Sequence, residues 1–152
     1  MFRGQSAINV DAKGRLAVPA RFREVLARAP SPDLVLTLNP WDRALWVYPL
    51  HEWVLIEAKL AELSDIDQHS RRTKQVMRGY ASDCVPDGHG RILLPPPLRE
   101  IASIERQVTV LGQGNKFELW DSARWQALRD QWFGDVAQSG GAGGHGLDRL
   151  AL

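Results

Sequence analysis

Residues 11–24, Asp-Ala-Lys-Gly-Arg-Leu-Ala-Val-Pro-Ala-Arg-Phe-Arg-Glu, decide how this chain is read. The pattern returns at 87–100 as Asp-Gly-His-Gly-Arg-Ile-Leu-Leu-Pro-Pro-Pro-Leu-Arg-Glu. Asp11, Gly14, Arg15, Pro19, Arg23 and Glu24 recur as Asp87, Gly90, Arg91, Pro95, Arg99 and Glu100, each 76 positions on. Leu16/Ile92, Val18/Leu94 and Phe22/Leu98 add apolar matches in the same register. This is an internal repeat.

The repeated unit has a physical reading. Asp followed by Gly three residues later is a turn signature: the carboxylate accepts from turn amides, and Gly supplies positive φ for an antiparallel hairpin closed with a bulge. Leu16 and Val18 then alternate with Arg15 and Ala17, as a half-buried strand requires. Pro19 ends the strand and suits the first turn of a helix. Phe22, Val25 and Leu26 share one face of that helix, and Leu98 and Ile101 keep the spacing in the second copy. Asp11, Gly14, Pro19, Asp87, Gly90 and Pro95 therefore read as architecture.

Composition bounds the rest. The chain has 152 residues, of which 44% are hydrophobic, enough for one domain or two small ones. Formal net charge is +1, so total charge announces no polyanion partner. Its distribution says more. Arg3, Lys13, Arg15, Arg21, Arg23 and Arg28 crowd residues 1–30, whereas 50–68 carries Glu52, Glu57, Glu62, Asp65 and Asp67. A single cysteine, Cys84, excludes an intrachain disulfide and fits a reducing cytosol. No signal-peptide-like or membrane-spanning run is found, so a soluble, cytoplasmic protein is expected.

Along the chain, 5–10 is expected as a strand, followed by the first turn, a strand and a helix ending before Pro30. Leu34–Leu38 and Ala44–Tyr48 flank a turn at 39–43. Pro49 opens a helix to about Leu63, with Leu50, Trp53, Val54, Leu60 and Leu63 inward. A polar helix over Ile66–Arg78 carries Arg71, Arg72, Lys74 and Arg78, expected as a solvated face or a partner for the acidic helix. Ala81–Val85 enters the second copy. Strands at 107–111 and 117–120 and a helix from Ser122 to about Phe133 complete it. Leu45, Val47, Tyr48 and Trp53 answer to Phe117, Leu119, Trp120 and Trp125, 72 positions on. Trp46, Trp53, Trp120 and Trp125 read as core or subunit interface. The organisation is thus a first repeat with interposed helices at 1–78, a second at 79–137, and a flexible Gly-rich tail at 138–152.

The two Asp-x-x-Gly-Arg-x-x-x-Pro motifs, their spacing and the Met1-Phe2-Arg3-Gly4 start resemble the MraZ family over nearly the whole chain. That family lies within the AbrB-like, swapped-hairpin β-barrel superfamily of bacterial DNA-binding proteins. The resemblance implies an α+β fold of two tandem AbrB-like half-barrel repeats with short antiparallel strands and flanking helices. It implies a ring-shaped homo-oligomer, associated with the nucleoid. This would regulate the division and cell-wall gene cluster by binding short tandem G-containing DNA repeats upstream of its own gene. Carried over residue by residue, DNA contact falls to Lys13 and Arg15 first and Arg91 second, with Arg3 as a basic neighbour. The second copy departs from the first, with His89 for Lys13 and Pro95-Pro96-Pro97 for Pro19-Ala20-Arg21, so the first copy should carry most of the contact.

Other readings stand beside this one. From the residues alone, Arg15 and Arg91 serve equally well as partners of a nearby carboxylate or as ligands for phosphate or guanine. A ring-forming assembly protein without a direct DNA role is one alternative, and an antitoxin-like AbrB-type subunit another. Catalysis is not expected. Gly112-Gln-Gly-Asn leads into a strand, which denies it a phosphate cradle. His51, His69, His89 and His145 lack metal-ligand spacing. No cofactor, metal, membrane or small-molecule substrate is implied.

Overall fold

The computed structural model describes residues 1–139 and Leu150. Its elements are β1 (Gln5–Asn9), β2 (Arg15–Ala17), α1 (Ala20–Ala27), β3 (Leu34–Leu38), β4 (Leu45–Pro49), α2 (Leu50–Ala61) and α3 (Gln68–Gly79). They continue as β5 (Ser82–Cys84), β6 (Arg91–Leu93), α4 (Pro96–Ile101), β7 (Gln107–Gly112), β8 (Phe117–Asp121) and α5 (Ser122–Ser139). The fold is α+β, with antiparallel ladders throughout and helices beside them.

Six strands form one sheet in the order β1-β7-β8-β4-β3-β5, while β2 and β6 form a separate ladder. Exchanging each strand for its counterpart in the other repeat reads the same order backwards. A pseudo-twofold axis therefore runs between β4 and β8. The registers obey it: Trp46 faces Glu118 at the centre of β4–β8, and Leu16 faces Ile92 at the centre of β2–β6. Likewise Ile8 faces Val108 as Cys84 faces Leu34.

One sequence expectation is overturned here. The Asp11–Gly14 turn does not close a hairpin between its own flanking strands. β1 pairs with β7 of the second repeat, β5 pairs with β3 of the first, and β2 pairs with β6. The physical reason is edge and core coverage. A three-residue strand such as β2 is too short to hold a ribbon with its neighbour alone. Exchanged, β1 and β5 cover the sheet edges that β7 and β3 would otherwise leave open.

The main core lies between the ladders and the sheet. Leu16, Val18, Leu36, Leu45, Val47, Ile92, Leu94, Val110, Phe117 and Leu119 are all at most 2% exposed. Phe2, Phe22 and Phe117 close one end as an aromatic triad, with ring centroids 5.2–5.3 Å apart. β3 and β4 are buried on both faces. Their second face, with Val35, Trp46 and Tyr48, is covered by Trp53 and Leu60 of α2 and Met77 of α3. The buried Thr37 hydroxyl donates to the Met77 carbonyl at 2.6 Å, using an acceptor the last turn of α3 leaves free. Trp46 and Trp120 both donate Nε1–H to Glu118, at 2.7 and 3.0 Å.

Two apolar assignments change. Val54 is exposed, and Ile56 packs in its stead, three residues from Trp53 and four from Leu60. Ile101 is also exposed, at 37%. α4 ends there, and Ser103 turns left-handed at φ 56°. Ile104 N–H then reaches the Arg99 carbonyl at 2.9 Å and Ser103 N–H the Glu100 carbonyl at 3.1 Å. This Schellman turn folds Ile104 back into the core where Ile101 was expected. The basic run on α3 is paired as well as solvated: Lys74 meets Asp65, and Arg78 meets Glu57 at 3.3 Å.

Two compact units are distinguished, residues 1–122 and 123 onward. In the second, α5 continues past Phe133, through Gly134, to Ser139, and Trp132 and Phe133 are exposed on it. The tail expected from 138 falls, from residue 140 on and apart from Leu150, outside the described residues. Among the described residues no helix is long and apolar enough to cross a membrane.

Leu16 sits on the pseudo-twofold axis with no exposed surface. Leu16→Ala should therefore cost about 2–5 kcal/mol of unfolding free energy. Leu93→Ala, one residue from Ile92 but on the exposed face, should stay within about 0.5 kcal/mol. Urea titration of the two variants checks this, and equal midpoints would contradict it.

Candidate nucleic-acid interface

Both turns are built alike, bond for bond. Asp11 Oδ1 accepts from the backbone N–H of Lys13 and Arg15, each at 2.9 Å. Oδ2 accepts from Arg15 Nε at 2.9 Å. In the second copy Asp87 Oδ1 accepts from His89 and Arg91 N–H at 2.9 and 3.0 Å, and Oδ2 from Arg91 Nε at 2.9 Å. Gly14 at φ 83° and Gly90 at φ 72° return their N–H groups to the aspartate carbonyls at 3.0 Å. The pairing reading of the motif arginine is seen directly. Each arginine is paired with a carboxylate through Nε, and among the described residues nothing engages its two Nη groups.

The ladder brings the two arginines onto one surface. Arg15 faces Leu93 and Ala17 faces Arg91, so all four side chains project away from Leu16 and Ile92. Two residues of rise along a strand and one interstrand spacing put the two arginine Cα atoms roughly 9 Å apart. Ala17 and Leu93 are exposed between them. The turns themselves lie at opposite ends of the ladder, because the strands are antiparallel. Lys13 stands exposed at the tip of the first turn and His89 at the tip of the second. Arg3 is not brought to this surface. It lies at the far end of β1, where Phe2 and Gly114 exchange backbone hydrogen bonds at 2.8 and 2.7 Å.

The repeat members left over from the turns also find a role. Gly14 O accepts from Leu94 N–H, and Gly90 O from Val18 N–H, at 2.9 Å each, tying each turn to the other repeat's strand. A Cβ on Gly90 would lie 2.5 Å from Arg23 Cδ, and one on Gly14 would lie 3.3 Å from Arg99 Nη1. Arg23 and Arg99 thus pack behind the opposite repeat's turn, a contact that spacing within one repeat does not reveal. Pro19 and Pro95 cap α1 and α4 from an extended conformation, one place earlier than a first-turn proline. Their carbonyls accept from the amides three and four residues on.

Electrostatics hold the clamps ionised. The Arg91 N–H does most to draw the Asp87 carboxyl down to about 2, against a modest desolvation, with His89 N–H and the Arg91 guanidinium adding to it. Asp11 is lowered by the equivalent donors of its own turn, Arg15 N–H first, with the Arg15 guanidinium and Lys13 N–H adding to it. Among the described residues no three His, Cys, Asp or Glu gather as a metal site would need.

A depressed folded-state pKa contributes stability above the ordinary carboxylate pKa near 3.8 and loses it as pH falls toward the folded value of about 2. NMR titration should find Asp87 still mostly ionised at pH 3. Asp87→Asn should remove its share of the stability loss between about pH 4 and pH 2. An Asp87 midpoint at the ordinary value would contradict the clamp.

Comparison with known proteins supplies the family. The MraZ protein family, described as antitoxin-like, matches residues 1–76 and 77–134, one match per repeat. The transcriptional regulator MraZ of Shewanella oneidensis is 52% identical over 131 residues, 86% of each chain. That of Shewanella sp. strain MR-7 is likewise 52% identical, and that of Shewanella pealeana 50%, over the same 86% of each chain. The chain belongs to the MraZ family.

Proposed function

We propose that this chain is a sequence-specific DNA-binding transcriptional regulator, not an enzyme. One observation carries the reading: two arginines, each held through Nε by its own turn aspartate, on the outer face of one two-stranded ladder. The major groove of B-DNA admits a two-stranded β-ribbon, and a guanidinium meets guanine O6 and N7 with two N–H donors. A clamp through Nε leaves the Nη pair for that contact and limits the rotamer freedom lost on binding. The relatives' names as transcriptional regulators support the same reading.

The roles divide by chemistry. Arg15 reads guanine, Lys13 contacts phosphate, and Arg91 adds a weaker second contact beside His89. Asp11, Gly14, Pro19, Asp87, Gly90 and Pro95 shape the two turns. The repeats 1–78 and 79–137 work as one reading head, in which Arg3 stands apart. With a net charge of +1, a single head attracts DNA weakly. A ring-shaped homo-oligomer on short tandem G-containing repeats gains affinity through effective concentration. The targets are the repeats upstream of its own gene in the division and cell-wall cluster, bound in the cytoplasm at the nucleoid.

Titration against duplexes bearing one, two and three repeats tests this. Wild-type affinity should climb steeply with copy number. Arg15→Ala should lose about 1–3 kcal/mol of discrimination per lost guanine contact, with oligomer size unchanged, and Arg91→Ala should lose less. An Arg15→Ala protein that still discriminates would overturn base reading, and affinity indifferent to copy number would overturn multivalency.

A further inference from the structure

The two turns are alike internally and unlike in what stands beside them. At the first, the β1–β7 ladder runs one pair beyond its strands, with Val10 N–H donating to the Arg106 carbonyl at 2.7 Å. In the second copy the ladder ends at Cys84–Leu34, and the positions that answer to Val10 and Arg106 are Pro86 and Pro32. Neither proline has an N–H, and neither carries charge. Arg106 is therefore a cation that the second repeat adds to the first turn beyond Arg99, whereas the second turn receives Arg23 alone.

The surroundings of the first turn combine two cations, Arg106 and Arg99, with the carboxylates of Glu105 and Asp11. Arg106, Arg99 and Glu105 line an open cleft of about 620 Å³ with the segment 9–12 that leads into the first turn. Arg99 Nη2 is used on the Glu105 carbonyl at 2.6 Å, but its Nε is buried without a hydrogen-bond partner. The Asp11 carboxylate beside it already serves Lys13 and Arg15. Arg106 itself is exposed. Its carbonyl and that of Arg15 bond to consecutive residues, Val10 and Asp11, from opposite sides of the chain. The two arginines are thus about two interstrand spacings apart, roughly 10 Å. The major groove is about 12 Å wide, so a ladder centred in it with Arg15 on a base edge sets Arg106 over the phosphate wall.

We propose that Arg106, backed by Arg99, is a phosphate-binding site that seats the first turn on DNA and makes the two repeats unequal in function. The site rests on the DNA-binding reading and adds to it a backbone anchor supplied across the repeat boundary. It fixes register and carries no base preference.

The test is the salt dependence of binding by the full chain, on a duplex with the tandem repeats and on one without them. Arg106→Ala should weaken both several-fold and lower the slope of log affinity against log salt by about one, leaving the specificity ratio intact. Arg106→Lys should retain the slope. Arg43→Ala removes an equal charge from the β3–β4 turn and should also retain it. An Arg106→Ala slope equal to wild type, with the specificity of the wild type intact, would overturn this site alone. Wild-type binding without any salt dependence would overturn the DNA reading and the site together.

Discussion

The exchange of strands between the two repeats is the constraint on which the rest depends. Leu16 against Ile92, both without exposed surface, is where the two copies meet. Neither three-residue strand can form a stable ribbon with its own turn partner. Paired with each other, with Leu16 and Ile92 seated in the core, they bring two motif arginines 76 positions apart onto one face. The central β4–β8 pair repeats the logic with polar atoms, since Glu118 accepts from the indoles of Trp46 and Trp120 on either side of the axis.

The aspartate–arginine clamp matters for orientation more than for stability. An exposed ion pair contributes little to stability, and these arginines are nearly a third exposed. What the clamp supplies is a guanidinium whose Nε edge is committed and whose Nη edge is presented. A lysine could not substitute, because its ammonium has no second edge to offer. The repeats then diverge by small changes around this constant unit. His89 stands where the first copy has Lys13, and Pro86 where it has Val10, so the two copies share the turn and differ in its flanking charge.

Much of this was legible in the residues. The repeat announced the turns, and Gly14 and Gly90 adopt the positive φ their place requires. The strand and helix order followed from apolar periodicity. Strand pairing was not legible, because Asp-x-x-Gly specifies a bend and not the partner of the strand after it. Ile101 and Val54 misled for a related reason. Helical spacing says which residues share a face, whereas a left-handed Ser103 or a rotated helix decides which one reaches the core. The role of Arg23 and Arg99 was hidden too, since each acts on the other repeat's turn. The residues leave Arg15 and Arg91 open between carboxylate pairing and ligand contact; the structure shows the pairing, made through Nε.

Hydrogen–deuterium exchange of the full chain, free and bound to a duplex carrying the tandem repeats, tests the central claim most directly. The account predicts new protection at 11–17 and 87–93, stronger in the first, with the helical face of α3 unchanged. Protection confined to α2 and α3, with the β2–β6 ladder exchanging as in the free protein, would contradict it.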